Sequence, residues 1–169
     1  DLALSFKKLN LNNLTLTLGS ESSDLQVSSA LILDNSNERV MTGPADLSLL
    51  AFQDISIGGV TSTGGTIKFS GGGQLSGTGK LDISGSTLDL GGDFLKSSGT
   101  ILDNSTTDLA LSGDSKLTSD VALSFVNLNL NDFTLTLGSP TSDLTVQNDI
   151  TIDTSTEGIS TGGADLILL

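Results

Sequence analysis

The first fifty residues of this chain return as residues 120–169 without an insertion or a deletion, at a constant offset of 120 − 1 = 119 residues. Twenty-nine of the fifty aligned pairs are identical; LNLN at Leu9–Asn12 reappears at Leu128–Asn131, and TLTLGS at Thr15–Ser20 reappears at Thr134–Ser139. Self-similarity over this length marks an architecture of stacked units, none of which buries its own apolar side alone. The chain is therefore expected to belong to a longer array.

Within the repeat the dominant period is two. Leu4-Ser5-Phe6, Leu16-Thr17-Leu18, Leu25-Gln26-Val27, Leu47-Ser48-Leu49, Ile55-Ser56-Ile57, Ile67-Lys68-Phe69, Leu81-Asp82-Ile83, Leu88-Asp89-Leu90 and Leu109-Ala110-Leu111 all alternate apolar with small or polar residues. Short strands with one face buried and one in water give this pattern. The two copies test it. Leu2/Val121, Leu14/Phe133, Leu31/Ile150, Leu33/Ile152 and Val40/Ile159 differ but stay apolar, whereas Lys7/Val126, Glu21/Pro140, Gln26/Thr145 and Ser28/Gln147 change character. Ile32 is replaced by Thr151, so Leu31 and Leu33 are expected to point inward and Ile32 outward.

A longer beat overlies this one: Leu25, Leu47, Ile67, Leu88 and Leu109 are 22, 20, 21 and 21 residues apart. Three short strands per coil of about 20 residues describe a triangular parallel β-solenoid whose coils stack columns of Leu, Ile and Val along an axis. Six such coils come close to 119 residues, yet the beat runs from Leu109 to Leu130 rather than to Leu123, so a coil near Gly113–Asp120 is expected to be short or its corner remodelled. An antiparallel β-sandwich, or a pair of them, gives the same alternation and stays open as the alternative. The alternation continues through the Gly-rich middle, residues 51–119, so residues 1–169 read as one continuous domain with no linker. The glycine pairs from Gly58 to Gly92 read as tight corners, and Asp34-Asn35-Ser36 and Asp103-Asn104-Ser105 as Asx-type turns.

Composition removes several classes of function. Twenty acidic residues against seven basic ones leave a formal charge of −13, with Arg39 the only arginine, so neither nucleic acid nor membrane insertion is expected. Without Cys or His there is no disulfide, thiolate nucleophile or ordinary zinc site. No apolar run approaches a membrane span of roughly 18 residues, and the chain opens on Asp1 with no visible signal peptide.

The candidates for chemistry are weak. Gly77-Thr78-Gly79-Lys80 brushes against a phosphate-binding loop, but Gln74 stands where its first Gly belongs and Leu81 where Ser or Thr would hold magnesium, so a turn is expected. Asp82 and Asp89 are the nearest approach to a carboxylate dyad, on outward strand positions. With one Arg, six Lys and no His beside them, the neighbours that tune an acid–base pair are scarce. No calcium-loop motif is present, so incidental weak calcium binding is the most that the acidic loops suggest. Thr15/Thr17, Thr134/Thr136 and Thr61/Thr63 could form a ladder that orders water only if repeated on consecutive coils; β-propensity explains surface Thr equally well. Asn10/Asn12 and Asn129/Asn131 suggest short outward ladders, and Asn13-Leu14-Thr15 and Asn104-Ser105-Thr106 match the glycosylation sequon.

The stretch GGGQLSGTGKLDISGSTLDLGGDF over residues 71–94 resembles repeats of large secreted bacterial β-solenoid proteins, the filamentous-haemagglutinin-like and autotransporter-passenger-like adhesins. The likeness is one of style, G-x-L-x-L-x-G, and their secretion-domain motifs are not in this segment. It implies a right-handed parallel β-helix exported to the cell surface, where such proteins serve as stalks, adhesins or matrix fibres. The expectation is a structural extracellular segment with no catalytic, cofactor or metal site, whose partners are copies or flanking repeats stacked end to end and cell-surface glycans. Two alternatives are kept: a carbohydrate-active solenoid lyase or hydrolase, and a carbohydrate- or ice-binding module.

Overall fold

The structure is a computed structural model that describes residues 3–103 and 106–169. Its described strands pair only in parallel. They wind into eight coils, so the fold is a β-solenoid and the antiparallel sandwich is excluded. Coil one holds β1 (Leu4–Asn10) and β2 (Thr15–Thr17); coil two holds β3 (Leu25–Ile32) and β4 (Arg39–Gly43). Coil three is β5 (Leu47–Leu49), β6 (Gln53–Ile55) and β7 (Gly59–Ser62). Coil four is β8 (Thr66–Phe69), β9 (Gly73–Leu75) and β10 (Lys80–Asp82). Coil five is β11 (Thr87–Leu90), β12 (Phe94–Lys96) and β13 (Ile101–Asp103). Coil six is β14 (Asp108–Leu111), β15 (Ser115–Ser119) and β16 (Leu123–Phe125). Coil seven is β17 (Leu128–Asn129), β18 (Thr134–Leu137) and β19 (Leu144–Val146), and coil eight is β20 (Ile150–Thr151), β21 (Gly158–Ser160) and β22 (Leu166–Leu168).

Three faces result. The first is one sheet of eight strands, β1-β3-β5-β8-β11-β14-β17-β20, running the full height of the stack. The second is β6-β9-β12-β15-β18-β21. The third is β2-β4-β7-β10-β13 over coils one to five and β16-β19-β22 over coils six to eight. On the first face the inward column passes from Leu25 through Leu47, Ile67, Leu88, Leu109 and Leu128 to Ile150. Its steps are 22, 20, 21, 21, 19 and 22 residues. A second column, Val27-Leu49-Phe69-Leu90-Leu111, lies beside it. Each fully buried aliphatic side chain stabilises by about 1.5–3 kcal/mol relative to exposure, and from coil three to coil six both columns are shut off from water.

Leu31 and Leu33 are buried and Ile32 less so, as the Thr151 counterpart implied. The 19-residue step from Leu109 to Leu128 is the irregularity anticipated near Gly113–Asp120, but the partner of Leu109 is neither Leu130 nor Leu123. The cause corrects the expectation of six coils per repeat. Leu4–Phe6 lie on the first face, paired with Leu25–Val27, whereas their counterparts Leu123–Phe125 form β16 on the third. Thr15–Thr17 lie on the third face, and their counterparts in β18 on the second. Since each coil runs from first to second to third face, 119 residues make five coils and two-thirds of a sixth. The second copy is therefore turned by one face about the axis.

Corner chemistry also departs from simple alternation. Ile55-Ser56-Ile57 is not a full strand: β6 stops at Ile55, the chain turns at Gly58 with φ +41°, and Ile57 is exposed. Buried hydroxyls fill the corners, where Ser86 Oγ donates to Ser62 Oγ (2.8 Å), Ser62 Oγ to the Gly43 carbonyl (3.1 Å) and Thr107 Oγ1 to the Ile83 carbonyl (2.7 Å). On β12 period two places Phe94 and Lys96 inward and Leu95 outward. Phe94 meets Phe69 edge to face at 5.0 Å, and Gly73 leaves the room they need: a Cβ there would stand 2.6 Å from Phe69 Cδ1.

Candidate functional site

One constellation occurs in both copies. Leu11-Asn12-Asn13-Leu14 is a four-residue turn closed by Leu14 N–H donating to the Leu11 carbonyl (3.0 Å), with φ of 48° at Asn12 and 68° at Asn13. Two successive positive φ values are those of a type I′ turn, which Asn tolerates better than other side-chain-bearing residues. Asn10 Oδ1 accepts from Asn12 N–H (2.9 Å), and the Glu38 carboxylate of coil two reaches across to accept from Asn13 N–H (2.8 Å) and Asn35 N–H (3.1 Å). In the second copy Phe133 N–H donates to the Leu130 carbonyl (2.9 Å), with φ of 47° at Asn131 and 71° at Asp132. There Asn129 Oδ1 accepts from Asn131 N–H (3.1 Å), and Glu157 accepts from Asp132 N–H (2.9 Å) and Thr154 N–H (2.9 Å).

Each glutamate thus clips a corner of one coil to a corner of the next. The Asn13 N–H holds the Glu38 carboxyl below the ordinary glutamate range, against an upward push from burial, and the Asp132 N–H does the same first for Glu157. Asp132 and Asp153 join Glu157, their carboxylate oxygens within 4.8 Å of one another. Calcium takes six to eight oxygens, and both Glu157 oxygens already accept backbone N–H groups. The geometry is that of a clasp between coils.

Asp82 and Asp89 are not brought together. Asp82 is on β10 of the third face, 3.7 Å from Lys80 Nζ, and Asp89 is on β11 of the first, 2.8 Å from Lys68 Nζ. Gly77-Thr78-Gly79-Lys80 is the corner between β9 and β10, closed by Gly79 N–H donating to the Ser76 carbonyl (2.9 Å), with Gly77 at φ +57°. A side chain at Gly79 would collide with the Ile55 carbonyl, so that glycine is there for close packing of coils. The Thr pairs make no ladder: Thr15 and Thr17 stand beside Arg39 and Met41, and Thr136 between Lys116 and Ser160. Asn129 lies between Ala110 and Thr151. Asn35 makes its Asx turn, accepting from Asn37 N–H (3.0 Å). Asn104 and Ser105, with their turn and sequon, lie outside the described residues.

Two features escaped the sequence reading. Lys96 is inward and 7% exposed, and its Nζ donates to Asp120 Oδ1 (2.8 Å); this contact is what chiefly lowers the Asp120 carboxyl. The Glu38/Glu157 identity was visible between the copies, flanked by the exchanges Asn37/Thr156 and Arg39/Gly158, and was the available signal for the clasp. On the outer side of the first face, a shallow depression of about 350 Å³ is lined by Thr87, Asp108, Ala110, Asn127, Asn129, Asp149 and Thr151. Ala110 pairs with Asp89 on one side and Asn129 on the other, and Asn127 Nδ2 donates to Asp108 Oδ1 (2.8 Å) in the same lining. A scan of family models gives no match to this chain, and searches of curated proteins and of solved structures give no significant match.

Proposed function

We propose that this chain is a non-catalytic, load-bearing segment of an extracellular fibre, stalk or adhesin on a bacterial surface, with further copies of its repeat as axial neighbours. One observation carries the reading: the first sheet runs unbroken through all eight coils over a continuous aliphatic column. Bending or stretching such a stack breaks parallel ladders and wets that column together, which is what a stiff rod requires. The separate faces and lysine partners of Asp82 and Asp89 agree with a mechanical role. The −13 charge keeps rods apart laterally.

Force spectroscopy on the single chain tests this. Extension is expected in abrupt steps, each coil of about 21 residues releasing about 70 Å of contour. Smooth extension at low force, or product release from neutral or acidic polysaccharides incubated with the chain, would sink the mechanical reading. A second reading, glycan binding, is favoured by the Asp108–Asn127–Asn129 depression, whose carboxylate and amide groups suit sugar hydroxyls. Titration with neutral oligosaccharides should then shift the Asn127 and Asn129 side-chain amide resonances, and Asn127→Ala should remove the response.

A further inference from the structure

The two copies of the repeat end differently, and the first shows what fits the second. Leu33 is 6% exposed, but its counterpart Ile152 is 53% exposed; Leu49 is 0% exposed, but Leu168 is 59%. In the first copy the run from Ala51 to Phe69 (β6 and β7 of coil three and β8 of coil four) lies on this side of the run from Leu31 to Leu49. Its β6 brings Gln53, a buried amide that accepts from Leu31 N–H (2.9 Å) and donates to the Ser29 carbonyl (2.9 Å). Farther round, Gly59 N–H donates to the Glu38 carbonyl (3.0 Å) and Thr66 N–H to Asp46 Oδ1 (2.6 Å).

Each host group in these four bonds has its counterpart at coil eight: the Ile150 N–H, the Asn148 and Glu157 carbonyls and the Asp165 carboxylate. Leu128 N–H donates to the Asp149 carbonyl, so in a parallel ladder the Ile150 N–H faces the opposite way, out along the axis. Asp165 N–H donates to Asp143 Oδ1 (2.8 Å), repeating the bond from Asp46 N–H to Asp24 Oδ1 (3.1 Å) one coil before the bond to Thr66. The surface is therefore set for the same guest.

We propose that coil eight is the acceptor for one further coil of the Ala51–Phe69 type, docked in the register that Ala51–Phe69 holds on Leu31–Leu49. The proposal rests on the reading of the chain as a repeating rod and names the rod's axial partner. A second copy stacked through its own coil one fits less well. The precedent for what covers coil one is the run that precedes the second copy, where Leu109 of β14 pairs with Leu128 and Ser115 of β15 with Leu135; Leu123, Leu128 and Leu135 are buried where Leu4, Leu9 and Leu16 stay partly open. Coil eight against coil one has no counterpart in the molecule.

The test joins the full chain at Leu169 to a second copy of its residues 51–119 and follows amide hydrogen exchange. Leu31 is the internal standard for a docked coil. Exchange at Ile150 is expected to slow by about 100-fold or more, toward the rate at Leu31, and to slow less when the added copy of Gln53 is Ala. An Ile150 amide that stays fast while Leu31 stays protected overturns the proposal and leaves the rod intact; loss of protection at both removes the rod reading too. Equal slowing by a shuffled 69-residue extension overturns the proposal. So does concentration-dependent protection of Ile150 in the unextended chain, which would make a second copy the occupant.

Discussion

Glu38 and Glu157 hold carboxylates among backbone N–H donors, so protonating them weakens the folded state. Both titrate below their ordinary value in the folded chain. Their contribution is therefore complete above the unfolded glutamate value of about 4.3 and is lost as pH falls through the lower folded value. Urea unfolding should show stability dropping steeply below about pH 4, and Glu38→Gln with Glu157→Gln should be weaker at pH 7 and fall less steeply; parallel slopes would refute the clasp. Lys96 and Asp120 give a second contrast. Asp120→Ala strands a buried ammonium and should cost toward the lower end of about 3–5 kcal/mol, since Asp120 is one-third exposed and its pair is partly screened. Lys96→Met, beside Leu75, should change stability by no more than about 1 kcal/mol or raise it. The reverse order in denaturation midpoints would show that the pair is not the main term.

At the scale of elements, corners matter more than strands. The alternation that marks β5, β8, β11 and β14 is set by the local backbone, so these strands are legible residue by residue. β1 is different: it runs from Leu4 to Asn10 with a register shift between Phe6 and Lys8, where the second copy breaks into β16 and β17 at Val126-Asn127. The same repeat thus carries a bulge in one copy and a corner in the other. The type I′ turn is common to both. Asn131→Ala should cost about 1–2 kcal/mol, because alanine has no local bond to offset left-handed backbone, while Asn131→Gly should lose less backbone stability. Thermal melts of the two variants decide this; equal losses would mean that the Asn131 side-chain bond to the Leu111 carbonyl dominates.

For the molecule as a whole, five and two-thirds coils per repeat make the 119-residue unit a screw element. It advances about 27 Å at about 4.8 Å per coil and returns its clasp one edge round the prism, so three units bring a clasp back to its starting edge. A charge of −13 on so narrow a body repels itself. The melting temperature should therefore rise as NaCl is raised from about 0.01 M to 0.15 M, where the Debye length falls from about 30 Å to 8 Å. A flat or falling response would show that the Lys68–Asp89 and Lys96–Asp120 pairs outweigh the general repulsion.

The fold class was legible because strand alternation is local and the two copies record which positions tolerate a polar exchange: Ile32/Thr151 against Leu33/Ile152 is enough to orient a strand. The coil length followed from the spacing of Leu25, Leu47, Ile67, Leu88 and Leu109. Only tertiary structure decided that Leu109 meets Leu128, that the second copy is turned by one face, and that Glu38 and Lys96 find Asn13 and Asp120. A corner can take up or omit residues without disturbing the alternation on either side. Which side chains meet across coils is therefore set by the summed corner lengths, and no local pattern reports that sum.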